Sequence, residues 1–191
     1  MQISTNLNKL LFYLAVGVLL LALAPFSASW VEGWMSVPAL NIDQAWRFFT
    51  AHFSHWSWAH WWTNCAAFVC FLLLYFHTLS ARNILVFTGF LLIGNGVFLS
   101  FFYTREFYLG FSGLLYAWFV YGALWKFSER GLLNGLVLLF LLLRALGVGR
   151  ELAGADELAV ASEIHWLNMV LALAALGLHR LFFWFFVKRF L

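Results

Sequence analysis

Charge is what this sequence has least of. Asp, Glu, Lys and Arg together make up 10% of its 191 residues, whereas soluble domains carry about 25%. Hydrophobic residues make up 64%, and the mean hydropathy is +0.88. This composition excludes an ordinary soluble domain and predicts an integral membrane protein. Because open strands leave backbone groups unsatisfied in lipid, we expect an all-α protein.

The small net charge, the low cysteine count and the absence of known motifs restrict the class of protein further. The net charge is only +3 and the basic residues are scattered, which argues against a nucleic-acid partner. The two cysteines, Cys65 and Cys70, fall inside one predicted helix, so they do not indicate a secreted disulfide framework. No His-Glu-x-x-His zinc motif and no internal repeat is present. We therefore expect one membrane domain over residues 1–191, in a lipid bilayer and without a cofactor.

Apolar segments predict a bundle of six transmembrane helices, since a spanning helix needs about 20 mostly apolar residues. The predicted helices cover residues 9–26, 58–76, 84–103, 112–126, 132–146 and 162–187. The first segment is followed by Pro25 and small residues at 27–29, so a cleavable signal peptide stays open, although six helices are complete only with this segment. Residues 27–58 are predicted to be an interfacial loop, and residues 147–162 a solvated polar loop.

Basic residues indicate the orientation of the chain. With Lys9 taken as preceding the first helix on the cytoplasmic side, alternate loops place most of the other basic residues on that side as well. These are Arg82, Lys126, Arg130, Arg180, Lys188 and Arg189. We therefore expect both termini in the cytoplasm.

Polar residues of three predicted helices fall at a similar depth. From Ser112 to Lys126 is 14 residues, about 21 Å, against a hydrocarbon core of about 30 Å, so Ser112 lies below the outer surface. Asn64 and His165 lie about 20 and 22 Å from the inner ends of their helices. His60 precedes Asn64 by one turn. Because polar residues at membrane depth are costly, this convergence predicts a functional site.

The residue types at this depth fit acyl transfer. A serine hydroxyl needs a base to remove its proton, and a histidine is the usual base at neutral pH. Ser112 and His165 are the candidate pair. Ser112 also begins a helix, whose N–H groups and positive dipole end favour an oxyanion. No Asp or Glu lies in the apolar body of a predicted helix, so the pair is expected to be a dyad.

Further residues have supporting roles in this prediction. His60 and Asn64 are candidate donors to the oxyanion. Gly110 and Gly113 allow the backbone to approach closely around the nucleophile. Tyr116, one turn after Ser112, is expected to lie under the imidazole of His165.

The order of these motifs resembles that of a known family, the rhomboid intramembrane serine proteases. The resemblance rests on Trp46-Arg47, His55, His60-x-x-x-Asn64, Gly110-x-Ser112-Gly113 with Tyr116, and His165. It implies a rhomboid-like fold that cleaves transmembrane protein substrates near the outer face of a bacterial inner membrane. By the same likeness Arg47 stabilises the first loop, and the Ser112 N–H joins His60 and Asn64 in the oxyanion hole.

A branch of the family is suggested by the small six-helix size and by the run His52-Phe-Ser-His55-Trp-Ser. Both look like the rhombosortases, which are thought to process C-terminal sorting anchors of the Gly-Gly type. The chain departs from the family pattern at Asn168 and Ile164, where small residues are usual. We therefore expect the packing of His165 against Ser112 to be the weakest part of the likeness.

Three other functions remain open from the sequence. His52, His55 and His60 are close enough in sequence to suggest a metal site, although no carboxylate or cysteine ligand follows at suitable spacing. His60 and His165, at one depth, are the only pair that suits haem. A non-catalytic rhomboid-like protein that binds transmembrane helices without cutting them is the principal alternative.

Overall fold

The computed structural model describes residues 2–22, 42–55, 57–77, 79–102, 108–148 and 162–182. Within these ranges the chain is helical and contains no strand, which confirms the all-α class for the part described. A single 3₁₀ turn occupies Ile42–Gln44. The α-helices are α1 (Gln2–Ala22), α2 (Arg47–Thr50), α3 (Trp58–Tyr75), α4 (Ala81–Phe101), α5 (Ser112–Trp125), α6 (Gly131–Ala145) and α7 (Ser162–Phe182).

Helix α5 forms the centre of the bundle. Ten of its 14 residues are buried, and it contacts α3, α4, α6 and α7. A helix that is apolar on all sides is stable only when other helices surround it. Its Trp118 is fully buried among aromatic rings from α1 and α3, and the indole N–H donates to Thr88 Oγ1 of α4 at 3.1 Å. The short central helix is thereby fixed in height and rotation.

Glycines allow the helices to approach closely. A Cβ at Gly122 of α5 would lie 2.9 Å from Cγ of Tyr75 in α3, and a Cβ at Gly94 of α4 would lie 2.8 Å from Leu171 in α7. In a membrane, where lipid is as apolar as the side chains, such close contact is a main source of helix association.

One polar cluster lies at the end of α5 opposite Ser112. The Tyr75 hydroxyl donates to Asn134 Oδ1 at 2.9 Å, and Asn134 Nδ2 donates to the carbonyl of Lys126 at 2.8 Å. Lys126 is the residue just after α5, and its carbonyl also accepts from the backbone N–H groups of Glu129 and Arg130. Asn134 is fully buried, so the cluster joins α3, α5 and α6 without exposing a polar group to lipid.

The start of the first helix differs from the prediction. Helix α1 begins at Gln2, and Lys9 therefore lies inside it rather than before it. The Lys9 side chain is buried, with Nζ 3.5 Å from the carbonyl of Phe76, just after α3. The helix extends beyond the predicted apolar segment because residues 2–8 contain no proline or glycine to stop it. The carbonyl of Phe76, at the end of α3, accepts from the Lys9 side chain.

Two of the described helices, at residues 82–101 and 163–181, are long and apolar enough to cross a bilayer. The other predicted spans are shorter or less apolar in the described part, so the six-span arrangement stays a proposal. Several predictions lie outside the described residues: the signal-peptide site at 27–29, most of the polar loop at 147–162, and the end of the sixth span with Lys188 and Arg189.

Candidate active site

The turn before α5 is built around Gly110. Its φ of 122° lies in the region that favours glycine, and a Cβ there would lie 2.8 Å from Cε1 of His60. The N–H of Gly110 donates to the carbonyl of Ala51 at 2.9 Å, and its carbonyl accepts from the Tyr108 hydroxyl at 2.9 Å. No side chain caps the helix that follows, so the first-turn N–H groups of α5 are not used by a cap.

Ser112 and His165 are in direct contact. Ser112 Oγ lies 2.8 Å from Nε2 of His165. The imidazole lies parallel to the ring of Tyr116, with 4.1 Å between centroids and 8° between planes. When Nε2 carries no proton, it accepts the hydrogen bond from the serine hydroxyl. The stacked tyrosine restricts rotation of the imidazole, so this contact has one geometry.

The contact between α5 and α7 depends on Gly113. A Cβ at this position would lie 2.9 Å from Cγ2 of Ile164 and 3.0 Å from Nδ2 of Asn168. The two residues that depart from the family pattern therefore occupy the space that Gly113 leaves free. Asn168 turns its side chain toward Asn95 of α4, and it does not separate His165 from Ser112.

His60 and Asn64 lie on the first two turns of α3. Ser57 caps this helix by accepting from the N–H of His60 at 3.2 Å. The ring of His60 lies beside Gly110, the residue two before Ser112. Asn64 is 4% exposed, and its Nδ2 has no hydrogen-bond partner among the described residues. A buried amide donor without a partner is costly, which suggests that it serves a ligand.

His52 and His55 follow α2 and are both fully buried. His52 bonds the carbonyl of Phe48 and the side chain of Asn95, whereas the ring of His55 packs against that of His60 with 5.0 Å between centroids. Burial lowers the pKa of His52 to about 4, although the bond to Phe48 opposes this shift. Burial, and then the charge of His60, lowers the pKa of His55 to about 3. Both imidazoles are therefore neutral near pH 7.

Arg47 begins α2, and its guanidinium lies 5.5 Å from the centroid of the Trp46 ring. Among the residues described, no group of three His, Cys, Asp or Glu side chains is placed to hold a metal ion. The sequence prediction did not include Asn95, although an asparagine in the middle of an apolar span was a signal for it. It is fully buried and bonds both His52 and Asn168.

The sequence of residues 43–165 matches the model of the Rhomboid domain. This match covers more than half of the chain. The chain belongs to the rhomboid family. No curated protein and no solved structure was found to match it. Rhomboids are generally serine intramembrane proteases that act on transmembrane substrates in a bilayer, so this rhomboid is an integral membrane protein.

The first prediction concerns Gly113. In Gly113→Ala, the new methyl group collides with Ile164 and pushes α7 away, so the reaction of Ser112 with a fluorophosphonate should slow about a hundredfold. The second-order labelling rate constant of the purified protein measures this effect. Gly122→Ala is the matched control, because it crowds the same helix equally at the far end. Equal rates in the two variants would contradict a special role for Gly113.

The second prediction concerns pH. An unfolded histidine binds a proton below about pH 6.5, whereas buried His52 does not do so until about pH 4. Its contribution to stability is therefore present above pH 6.5 and is lost as the pH falls toward 4, by about 1.4 kcal/mol per pH unit. The unfolding free energy in detergent at several pH values measures it. In His52→Gln, where residue 52 cannot titrate, the unfolding free energy should fall less steeply with falling pH, by about 1.4 kcal/mol per pH unit. Parallel curves for the two proteins would refute the lowered pKa of His52.

Proposed function

We propose that this rhomboid is an intramembrane serine endopeptidase in which Ser112 is the nucleophile and His165 the general base. The observation that carries the proposal is the 2.8 Å contact between Ser112 Oγ and His165 Nε2. A serine at the buried start of a helix, paired with an imidazole, matches what acyl transfer requires. The stack of Tyr116 on His165 also restricts the orientation of the imidazole ring.

The reaction proceeds through an acyl-enzyme. Ser112 Oγ attacks the carbonyl carbon of the scissile peptide while His165 Nε2 takes the hydroxyl proton. The tetrahedral intermediate then collapses, its C–N bond breaks, and His165 gives the proton to the leaving amine. A water molecule, deprotonated by His165, next attacks the ester and releases Ser112. The substrate is a transmembrane segment that unwinds locally to bring its carbonyl to Ser112.

The oxyanion of the intermediate is stabilised in this proposal by the Ser112 N–H and by the side chains of His60 and Asn64. Two observations support the assignment: the unpartnered buried Nδ2 of Asn64, and the position of His60 beside Gly110. Each such donor typically contributes about 3 to 4 kcal/mol to transition-state stability.

The finer assignments concern the membrane and the substrate. We place six spans in a bacterial inner membrane with both termini in the cytoplasm, so that the site lies near the outer face. The depth of Ser112 and the distribution of basic residues support this orientation. The run from His52 to Ser57 and the small size of the chain support the rhombosortase branch. Its substrates would carry C-terminal anchors of the Gly-Gly type.

The third prediction tests the dyad. A fluorophosphonate should label the purified wild-type protein at Ser112, and Ser112→Ala and His165→Ala should abolish labelling. Asn64→Ala should slow it about several hundredfold through loss of one oxyanion donor. The attachment site is identified by peptide mass spectrometry.

The control for this experiment is Ser100→Ala, since the Ser100 hydroxyl only bonds the carbonyl of Gly96 within α4. This variant should be labelled like the wild type. Labelling that persists in Ser112→Ala would eliminate Ser112 as the nucleophile.

The fourth prediction separates a protease from a non-catalytic binder of transmembrane helices. A reporter with a C-terminal Gly-Gly-type anchor, co-expressed with the wild-type rhomboid, should be released from the membrane, and co-expression with Ser112→Ala should leave it intact. Immunoblotting of membrane and soluble fractions measures release. A reporter that is bound but uncut by the wild type would favour the binder, and cleavage of a different anchor alone would exclude the rhombosortase branch.

A further inference from the structure

A chain of hydrogen bonds next to the candidate site connects three parts of the bundle. His52, Asn95 and Asn168, here called the amide hub, come from the loop after α2, from α4 and from α7. All three side chains are fully buried. His52 Nδ1 donates to the carbonyl of Phe48 at 2.6 Å, and Asn95 Nδ2 donates to His52 Nε2 at 3.0 Å. The hub thus links the interfacial loop to two long helices.

The two asparagines exchange hydrogen bonds. Asn168 Nδ2 donates to Asn95 Oδ1 at 2.9 Å, and Asn95 Nδ2 donates to Asn168 Oδ1 at 3.2 Å. The second hydrogen of Asn168 Nδ2 goes to the carbonyl of Ile164 at 2.8 Å. Both amide hydrogens of Asn95 and of Asn168 are therefore used. Because His52 Nε2 accepts a hydrogen bond, the proton of that ring is on Nδ1. One proton arrangement satisfies the whole hub.

The hub fixes the helix that carries His165. Asn168 lies three residues after His165 and bonds the carbonyl of Ile164, the residue just before it. Rotation or sliding of α7 against α4 would separate the reciprocal amide pair, because its two members lie on different helices of 21 residues each. The height and rotation of His165 relative to Ser112 are thereby set.

The hub also reaches the turn that precedes Ser112. The ring of His52 packs against the ring of Tyr108 with 5.1 Å between centroids, and the Tyr108 hydroxyl donates to the carbonyl of Gly110. The N–H of Gly110 donates to the carbonyl of Ala51, which directly precedes His52. His52 is therefore connected to both sides of the candidate site.

We propose that His52, Asn95 and Asn168 are positioning residues, which hold the general base on α7 and the turn before the nucleophile in reacting geometry. The inference rests on the proposed chemistry of Ser112 and His165 and adds to it the group that orients the base. Here neutral amides act on the helix that carries the imidazole.

A purely structural role leads to a different expectation. Buried polar groups in membrane helices contribute only modestly to stability, because the alternative states also provide partners, and apolar residues of similar size often replace them at little cost. Replacement by leucine would then change neither the folded fraction nor the reaction rate. A positioning role predicts that the rate falls while the protein remains folded.

The fifth prediction tests the hub with Asn95→Leu, Asn168→Leu and the double variant. The measured quantity is the rate constant for labelling of Ser112 by a fluorophosphonate. The final labelled fraction, which reports how much of the protein is folded, is measured separately. Each single variant should react about ten- to a hundredfold more slowly, since a small displacement of a reacting group has effects of this size. The double variant should react no more slowly than the slower single variant, because both changes break the same amide pair.

The matched control is Asn134→Leu. Asn134 is also a fully buried asparagine with two side-chain hydrogen bonds, but it lies at the opposite end of α5. The Asn134→Leu variant should react with the fluorophosphonate at the wild-type rate, even if the substitution lowers its folded fraction.

His52 gives a test of rescue. His52→Gln keeps one donor and one acceptor and should retain most of the rate, whereas His52→Phe keeps the ring shape without either and should be as slow as Asn95→Leu. If the leucine variants yield no labelled protein, Asn95→Ala and Asn168→Ala replace them, and their labelling rates are compared with that of Asn134→Leu in the same way.

The outcomes distinguish this inference from the proposed function. If the wild type is not labelled, or if labelling persists in Ser112→Ala, the Ser112–His165 chemistry itself fails and the inference falls with it. If the wild type is labelled at Ser112 but the hub variants react as fast as Asn134→Leu, the positioning role is overturned and the dyad stands.

Discussion

The missing side chain of Gly113 is the constraint on which the rest of the site depends. Because glycine has no Cβ, Ile164 and Asn168 of α7 can approach the backbone of α5. Their nearest side-chain atoms lie about 3 Å from the position that a Cβ would occupy. The Tyr108 hydroxyl would lie 3.1 Å from the same point. One vacant methyl position thus brings together α7, which carries His165, the amide hub, and the Tyr108 side chain, which donates to Gly110. The short distance from Ser112 to His165 follows from this packing.

The bilayer imposes a second constraint, because a polar group at membrane depth needs a partner inside the protein. Several buried polar side chains of the described part meet this need through hydrogen bonds between helices. The site and the amide hub form one layer, and Tyr75 with Asn134 forms another at the opposite end of α5. Between them, the indole of Trp118 bonds Thr88, whose hydroxyl bonds the carbonyl of Ile84. Among the described residues, Asn64 Nδ2 is buried without a hydrogen-bond partner, and so is the hydroxyl of Tyr13 on α1.

Much of the helix content was predictable from hydropathy, and the counting of residues along three helices selected Ser112 and His165 as partners. A rise of 1.5 Å per residue converts sequence position into depth, and the two side chains are in contact in the structure. Depth does not give the rotation of each helix, so the count did not reveal which side chains face one another. The sequence therefore suggested that Asn168 was an obstacle, and the prediction left out Asn95 although its position in an apolar span was a signal. Their pairing depends on the relative rotation of α4 and α7, which only tertiary packing determines.

The amide hub also explains why a larger residue replaces the usual small one on α7. A small residue allows close approach of the helices but supplies no hydrogen bond, so the rotation of α7 would rest on apolar packing alone. Asn168 supplies donors and an acceptor, and Gly113 on the facing helix leaves the room that it needs. A carboxylate in its place would carry a charge whose burial is far more costly than that of a neutral amide. An asparagine pair is thus a low-cost way to fix the orientation of a helix inside a membrane, at the point where orientation decides whether the imidazole reaches the serine.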